Sequence, residues 1–423
     1  MKNYEKMWQD LGLDVALHNE VLASIDRTFK QTVGIQKNRA EHIGYFDQVL
    51  HESHGNRVAE LLDAKSKGSK VLGTFCIYVP EEIVLALDLI PIALCGGTQF
   101  SIPYAEKMFP RDICPLVKST LGLAFSKTCP YAPIKSMAVG ETTCDAKKKT
   151  WEILAQKVNF HVMEVPQKKE DLDEKLWYKE ILSFKEKVEE LAGKKIDRDG
   201  LDQTIKIMNS KRRALQMLNE LRKHDPPPIS GLDVLVVMQA ALNDEPVRFT
   251  ERLNELNAEL QRRIDKGSSP FTKGVKRIMI AGCPSVMGNW KVHSIIEASG
   301  AAIVIDETCT GTRYFENLVD ESAKDLDAQL DAIADRYMKI NCACFTPNNE
   351  RIDGILSKID NYRVNGVVQY VLQYCHGYNV EAIRVEGALR KKNMPSIKIE
   401  TDYSEEDVGQ LRTRIEAFLE TLA

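Results

Sequence analysis

Apolar positions over residues 1 to about 70 recur at mixed three- and four-residue spacing, with few glycines and no proline, which predicts helices. KSKGSK at 65–70 then reads as a loop. VLGTFCIYV at 71–79 is an unbroken apolar, β-branched run that predicts a buried strand. PEEIVLALDL at 80–89 starts with proline and two acids, a helix-entry signal, and IPIALCGG at 90–97 predicts another short strand that ends in glycines. SMAVGETTCD (136–145) and FHVMEVP (160–166) continue the alternation, with the helix DAKKKTWEILAQ between them. Strand, helix and strand in succession predict a parallel, doubly wound sheet.

From 171 to about 265 the pattern changes to Glu, Lys, Leu and Arg at helical spacing, broken only at HDPPPISG (224–231). The strand–loop–helix pattern resumes at KRIMIAGCP (276–284), AAIVIDETCTG (301–311), VNGVVQYVLQYCHGY (364–378) and SIKIETD (396–402). A closing helix, SEEDVGQLRTRIEAFLETL, carries Ser404 as its expected N-cap. The expected class is α/β, with two doubly wound parallel-sheet domains. The expected division is a helical segment 1–70, a first α/β domain 71–170, a helical insert 171–270 and a second α/β domain 271–423.

Composition narrows the function classes. A chain of 423 residues with 43% hydrophobic content can form more than one core. The net charge is −4 and the basic residues are mixed with acids, which argues against tracking a nucleic-acid backbone. The N-terminus MKNYEKMWQDLGLD lacks an apolar core, so no signal peptide is expected. The longest apolar run, IVLALDLIPIAL, is interrupted by Asp88 and Pro91 and is too short to span a membrane. A soluble, cytoplasmic protein is expected.

Ten cysteines change the picture more than charge does. In a large chain without a signal peptide they point to metal, cluster or catalysis rather than disulfides, while some pack as small hydrophobes. Cys76 lies near a predicted strand end; Cys114 lies in FPRDICPL, Cys129 in SKTCPY and Cys144 in GETTCD. Cys309 lies in IDETCTG, Cys342 and Cys344 in NCACFTPN, and Cys375 ends VVQYVLQYC. Open α/β sheets bind ligands outside the carboxyl ends of their strands, so these thiols converge on an expected interdomain cleft. No C-x-x-C pair occurs, which excludes zinc ribbons and thioredoxin-like motifs, and the close-set ferredoxin run is missing. An iron–sulfur cluster between domains suits thiolates from distant loops; zinc on scattered thiolates and a single catalytic thiol stay open on spacing alone.

The segments GTFCIYVPEE, RDICPLVKS, KTCPY, VGETTCDAKKK, GCP, ETCTG, NCACFTPN, QYCHGY and IETDYSEEDVGQLRTRIEAF occur in this order. Together they resemble the 2-hydroxyacyl-CoA dehydratase superfamily, over nearly the whole chain, and are more similar to its double-cubane cluster proteins. The resemblance implies two flavodoxin-like domains with a helical region. It implies either one [4Fe–4S] cluster on three cysteines, as in dehydratase subunits, or two [4Fe–4S] units bridged by sulfide ([8Fe–9S]) in a homodimer. Carried over, Cys76, Cys114 and Cys375 take the dehydratase-type positions, and Cys129, Cys309 and Cys344 are assigned to the second cubane. Cys144 and Cys342 are held in reserve, while Cys95 and Cys283 are assigned to packing.

The family's partner is a homodimeric ATPase activator with its own [4Fe–4S] cluster. This chain has no G-x-x-x-x-G-K-[ST] loop and no strand-linked G-x-G-x-x-G, so ATP is expected on that partner, not here. The implied activity is an ATP-driven reduction of a small molecule in the cleft, with 2-hydroxyacyl-CoA dehydration or a cluster-bearing electron carrier as alternatives. Glu141 and Glu307, each shortly before a cysteine at a strand end, are expected to have raised pKa values and deliver protons, unless they are helix caps or surface ion pairs. His376 beside Cys375 is a second proton-donor candidate or a hydrogen-bond donor to sulfur, and Arg313 is a candidate for binding an anion or balancing cluster charge. The lysine run 147–149 reads as a solvated helix face.

Overall fold

The computed structural model describes residues 4–94 and 96–422. Cys95, expected to pack in the core, lies outside the described residues. Four strands form the first sheet: β1 (Val71–Thr74), β2 (Ile90–Ala93), β3 (Met137–Glu141) and β4 (Phe160–Met163). The second sheet has β5 (Lys276–Gly282), β6 (Ala301–Glu307), β7 (Gly366–Leu372) and β8 (Ser396–Thr401). Their orders are β2-β1-β3-β4 and β6-β5-β7-β8, and every pairing is parallel. The two sheets share one topology, the flavodoxin-like order, whose direction of winding reverses between the first and third strands. Strands β3, β6 and β7 are buried along their whole length, as continuous apolar runs in a doubly covered sheet should be.

The alternation seen in the sequence is therefore the alternation of the fold, but several elements are shorter. The apolar run 71–79 stays extended only to Thr74, and Phe75–Val79 leave the sheet as a loop before the short helix Glu81–Leu85. The last helix starts at Val408 rather than beside Ser404. Ser404 gives its backbone N–H to Asp402 Oδ1 at 2.8 Å, which makes a turn there instead of a cap.

Helices Glu5–Asp10, Val15–Thr32, Ile43–His51 and Asn56–Ser66 precede the first sheet. Asp171–Ala192, Arg198–Leu221, Gly231–Ala241 and Pro246–Asp265 lie between the two sheets in sequence. Every residue of Gly231–Ala241 is buried, so this helix is core rather than a surface appendage. The helix Arg198–Leu221 ties both halves together. Arg212 meets Glu82 at 2.6 Å, Tyr337 donates to the other oxygen of Glu82 at 2.8 Å, and Asn209 donates to the Val319 carbonyl at 2.8 Å. These buried bonds hold the carboxyl ends of the two sheets around a shared space. Among the described residues, no helix is long and apolar enough to cross a membrane.

Candidate active site

A cavity of about 390 Å³ opens where loops after β1, β3, β5, β6 and β7 meet. Eight cysteines line it: Cys76, Cys114, Cys144, Cys283, Cys309, Cys342, Cys344 and Cys375. All eight are free thiols. Topology explains the convergence. Cys76 follows β1 and Cys283 follows β5; Cys144 lies three residues past β3, and Cys375 three past β7. The strands flanking each reversal of winding thus carry a thiol at equivalent places, where such sheets bind ligands.

Local structure prepares several thiols to ionise. Cys114, Cys144 and Cys375 occupy the N-caps of Pro115–Phe125, Asp145–Ala155 and His376–Lys391. Backbone N–H groups at these helix starts point at sulfur: those of Leu116 and Val117 at Cys114, of Lys147 at Cys144 and of Tyr378 at Cys375. A helix N-terminus favours the thiolate through its free N–H groups and its dipole. Burial works the other way and pushes the Cys114 thiol up to about 12. A hydrogen bond from Cys344 draws Cys342 down to about 6 and raises Cys344. Cys375 is lowered by a hydrogen bond from Cys283, while burial and that same neighbour raise Cys283.

The thiols sort into two sets by mutual influence. Cys76, Cys309, Cys342 and Cys344 act on one another, Cys114, Cys144, Cys283 and Cys375 do likewise, and Cys342 also acts on Cys375, which joins the two groups. Cys76 lines the same cavity as Cys114 and Cys375, the two cysteines grouped with it on the resemblance. Cys283, expected to pack, is buried and also faces the cavity.

Cys129 does not reach this space. Its side chain packs against the cluster of Val58, Leu61, Val71, Ile92, Tyr131 and Ile134, and its N–H bonds the Leu123 carbonyl at 3.1 Å. It belongs to the connection leading into the amino end of β3, whereas the cavity lies at the carboxyl end. No sequence signal set it apart, since Cys114 likewise follows a helix rather than a strand and yet lines the cavity.

Glu307 departs from the expected proton donor. Arg313 grips its carboxylate at 2.7 and 2.9 Å, and Arg351 at 2.8 and 3.2 Å. Burial alone would raise its pKa, but the two guanidinium groups hold it at about 2, so it stays ionised. Arg313 is itself buried and also donates to the Gly282 carbonyl at 3.0 Å and to Tyr378 Oη, so it offers no open anion site. Its Nη1 lies 3.6 Å from Cys309 Sγ, and Tyr378 Oη lies 3.8 Å from Cys342 Sγ. This network fixes the loops that carry two of the thiols.

Glu141 is fully buried at the end of β3. Its Oε1 accepts from Thr143 Oγ1 and Lys147 Nζ, both at 2.6 Å, while Oε2 is buried without a hydrogen bond. Lys147 lines the cavity, contrary to its reading as solvated; Lys148 and its partner Asp145 reach the rim of the same cavity but stay far more exposed, and Lys149 pairs with Glu152. The signal for Lys147 was its place in the first turn after Cys144. His376, the first residue of its helix, lines the cavity and is exposed.

Among the described residues no three His, Cys, Asp or Glu side chains converge closely enough to hold a single metal ion. Eight thiols spread around one cavity fit a group several atoms across, and thiolate is the donor that iron–sulfur clusters use.

Comparison with known proteins agrees with this architecture. The family described as "2-hydroxyglutaryl-CoA dehydratase, D-component" matches residues 76–422. The YjiM protein of Escherichia coli (strain K12), named a dehydratase subunit by inference, is 37% identical over 380 residues, covering 89% of this chain and 97% of its own. The (R)-2-hydroxyglutaryl-CoA dehydratase subunit beta of Acidaminococcus fermentans is 25% identical, covering 85% of this chain and 94% of its own. A benzoyl-CoA reductase component of Thauera aromatica is 22% identical, covering 89% and 96%. These relatives are components of dehydratases and of a reductase, and this chain belongs to the 2-hydroxyglutaryl-CoA dehydratase D-component family.

Proposed function

We propose that this chain is the iron–sulfur component of an ATP-dependent reductase that reduces a small molecule in the interdomain cavity. The observation that carries the reading is the eight thiols around one cavity. One cubane needs about four thiolates or fewer, so eight suit two joined [4Fe–4S] units of the [8Fe–9S] type. Cys76, Cys309, Cys342 and Cys344 would hold one unit, and Cys114, Cys144, Cys283 and Cys375 the other. When bound, such a group supplies single electrons at low potential. The chain's own residues do the rest. Phe75, Ile77, Val79, Val117, Val286 and Leu372 give the cavity apolar walls that limit water. His376, exposed at one side and facing the cavity at the other, would pass a proton from solvent through its imidazole nitrogens. Arg313, Glu307 and Tyr378 hold the Cys309 and Cys342 loops in place.

Electrons would arrive from a separate homodimeric ATPase carrying a [4Fe–4S] cluster, which docks on a homodimer of this chain. A potential step of a few hundred millivolts corresponds to roughly 5–10 kcal/mol for one electron, within reach of nucleotide hydrolysis. The names of the relatives from Escherichia coli and Acidaminococcus fermentans favour a second reading, a dehydratase subunit, for which the resemblance implies one cluster. Metal and sulfide analysis of anaerobically purified protein separates them: about eight irons per chain for the double unit, about four for the single one. Turnover should need the activator, a strong donor and ATP, and a non-hydrolysable analogue should stop it. Equal turnover with the analogue would overturn the ATP-gated reading.

A further inference from the structure

Apart from the thiols, the Glu141–Lys147 ion pair acts on cysteines from both sheets. Glu141 ends β3 beside the reversal of winding in the first sheet, and Lys147 reaches back to it from the first turn of Asp145–Ala155 at 2.6 Å. The lysine side chain is 15% exposed, against 49% for Lys148 and 68% for Lys149. It lines the cavity and draws down the thiols of Cys76, Cys144, Cys309 and Cys375, which come from both sheets and from both sets. Glu141 pushes the other way on Cys76 and Cys144. Lys147 at the cavity wall and Glu141 buried behind it thus act with opposite sign on Cys76 and Cys144.

Closing the wall does not require charge. A buried ion pair contributes little or nothing more to stability than apolar residues of the same volume, because desolvation offsets the attraction. The Glu141 carboxylate is also only half satisfied, since Oε2 has no donor. Its field therefore extends into a low-dielectric space, where charges act strongly over several ångströms.

We propose that Lys147 and Glu141 set the reduction potential of the redox group in this cavity by opposing electrostatic effects. This rests on the cluster-bearing reading given above. Reduction adds one electron and breaks no bond, so the added negative charge is favoured by the Lys147 ammonium and disfavoured by the Glu141 carboxylate.

The test is an anaerobic redox titration with dithionite, followed by visible absorption, on protein whose iron has been counted. Lys147→Met should make reduction about tenfold less favourable, a fall of about 59 mV for one electron. Glu141→Gln should raise the potential by a similar factor, the double variant should return toward the parent, and Lys147→Arg should leave it unchanged. Shifts of the same sign in Lys147→Met and Glu141→Gln, or none above threefold, overturn the inference while leaving the cluster reading intact. Iron absent from the parent protein would sink both. Iron bound by Lys147→Arg but not by Lys147→Met would assign Lys147 to cluster assembly and overturn its role in setting potential.

Discussion

Replacing Glu307 by glutamine removes the one negative charge shared by Arg313 and Arg351. All three side chains are buried. The carboxyl has its pKa lowered from 4.5 to about 2 in the folded chain. At about 1.36 kcal/mol per unit, its ionisation contributes about 3 kcal/mol of stability. The folded pKa lies below the unfolded one, so the contribution is complete above pH 4.5 and is lost as pH falls through that value toward 2. About half should be gone by pH 3. The variant also strands the Arg313 guanidinium, and breaking a buried pair costs about 3–5 kcal/mol. Arg351 keeps Glu381 as partner at 2.5 Å and suffers less. Urea unfolding of the cluster-free protein at pH 7 should therefore show Glu307→Gln less stable by about 3–5 kcal/mol. The gap to the parent should narrow by about 2 kcal/mol at pH 3. Because Arg313 touches Cys309 Sγ at 3.6 Å, iron retention should fall as well. A loss below about 1 kcal/mol, the range of exposed pairs, or a gap of equal size at both pH values would refute the reasoning.

Cys114→Ser and Cys375→Ser should each lower iron content, whereas Cys129→Ser should leave it unchanged; full iron in Cys375→Ser would remove the second set of thiols from the site. The visible absorption of anaerobically purified protein should bleach in air as the thiolates oxidise, and a spectrum stable to long exposure would argue against an open cluster. Gly282 has φ +139, and a Cβ there would lie 2.0 Å from the Tyr370 carbonyl oxygen, so Gly282→Ala must push β5 away from β7 just before Cys283. Reduced iron loading and a lower melting temperature are expected, and normal values of both would show that the strand end adapts.

Much of the architecture is legible along the chain. Short apolar runs alternate with amphipathic helices, and that rhythm specifies parallel sheets because parallel strands need crossover helices between them. The same rhythm puts Cys76, Cys144, Cys309 and Cys375 after strands, and the carboxyl ends of strands in one sheet necessarily share an edge. The grouping of segments into a family likewise follows from local sequence, and residues 76–422 bear it out.

What depends on packing across distant parts of the chain was not legible. Apolar content marks 71–79 as buried but does not say where pairing with β3 stops, so Phe75–Val79 left the sheet unannounced. Cys129 carries the same Cys-Pro context as Cys114, yet one caps a helix on the cavity and the other lies at the opposite edge of the sheet. The three lysines 147–149 are chemically alike; only the helix phase, set by how Trp151 and Leu154 pack, turns Lys147 inward. Glu307 looked like a proton donor because it shortly precedes a cysteine at a strand end. Its pKa is decided by Arg313 and by Arg351, 44 residues away, which only the tertiary structure brings within 2.8 Å. Local periodicity decides which face of an element is apolar, because it depends on successive residues alone. Charge state and ligand geometry depend on what approaches through space, and that belongs to the folded chain.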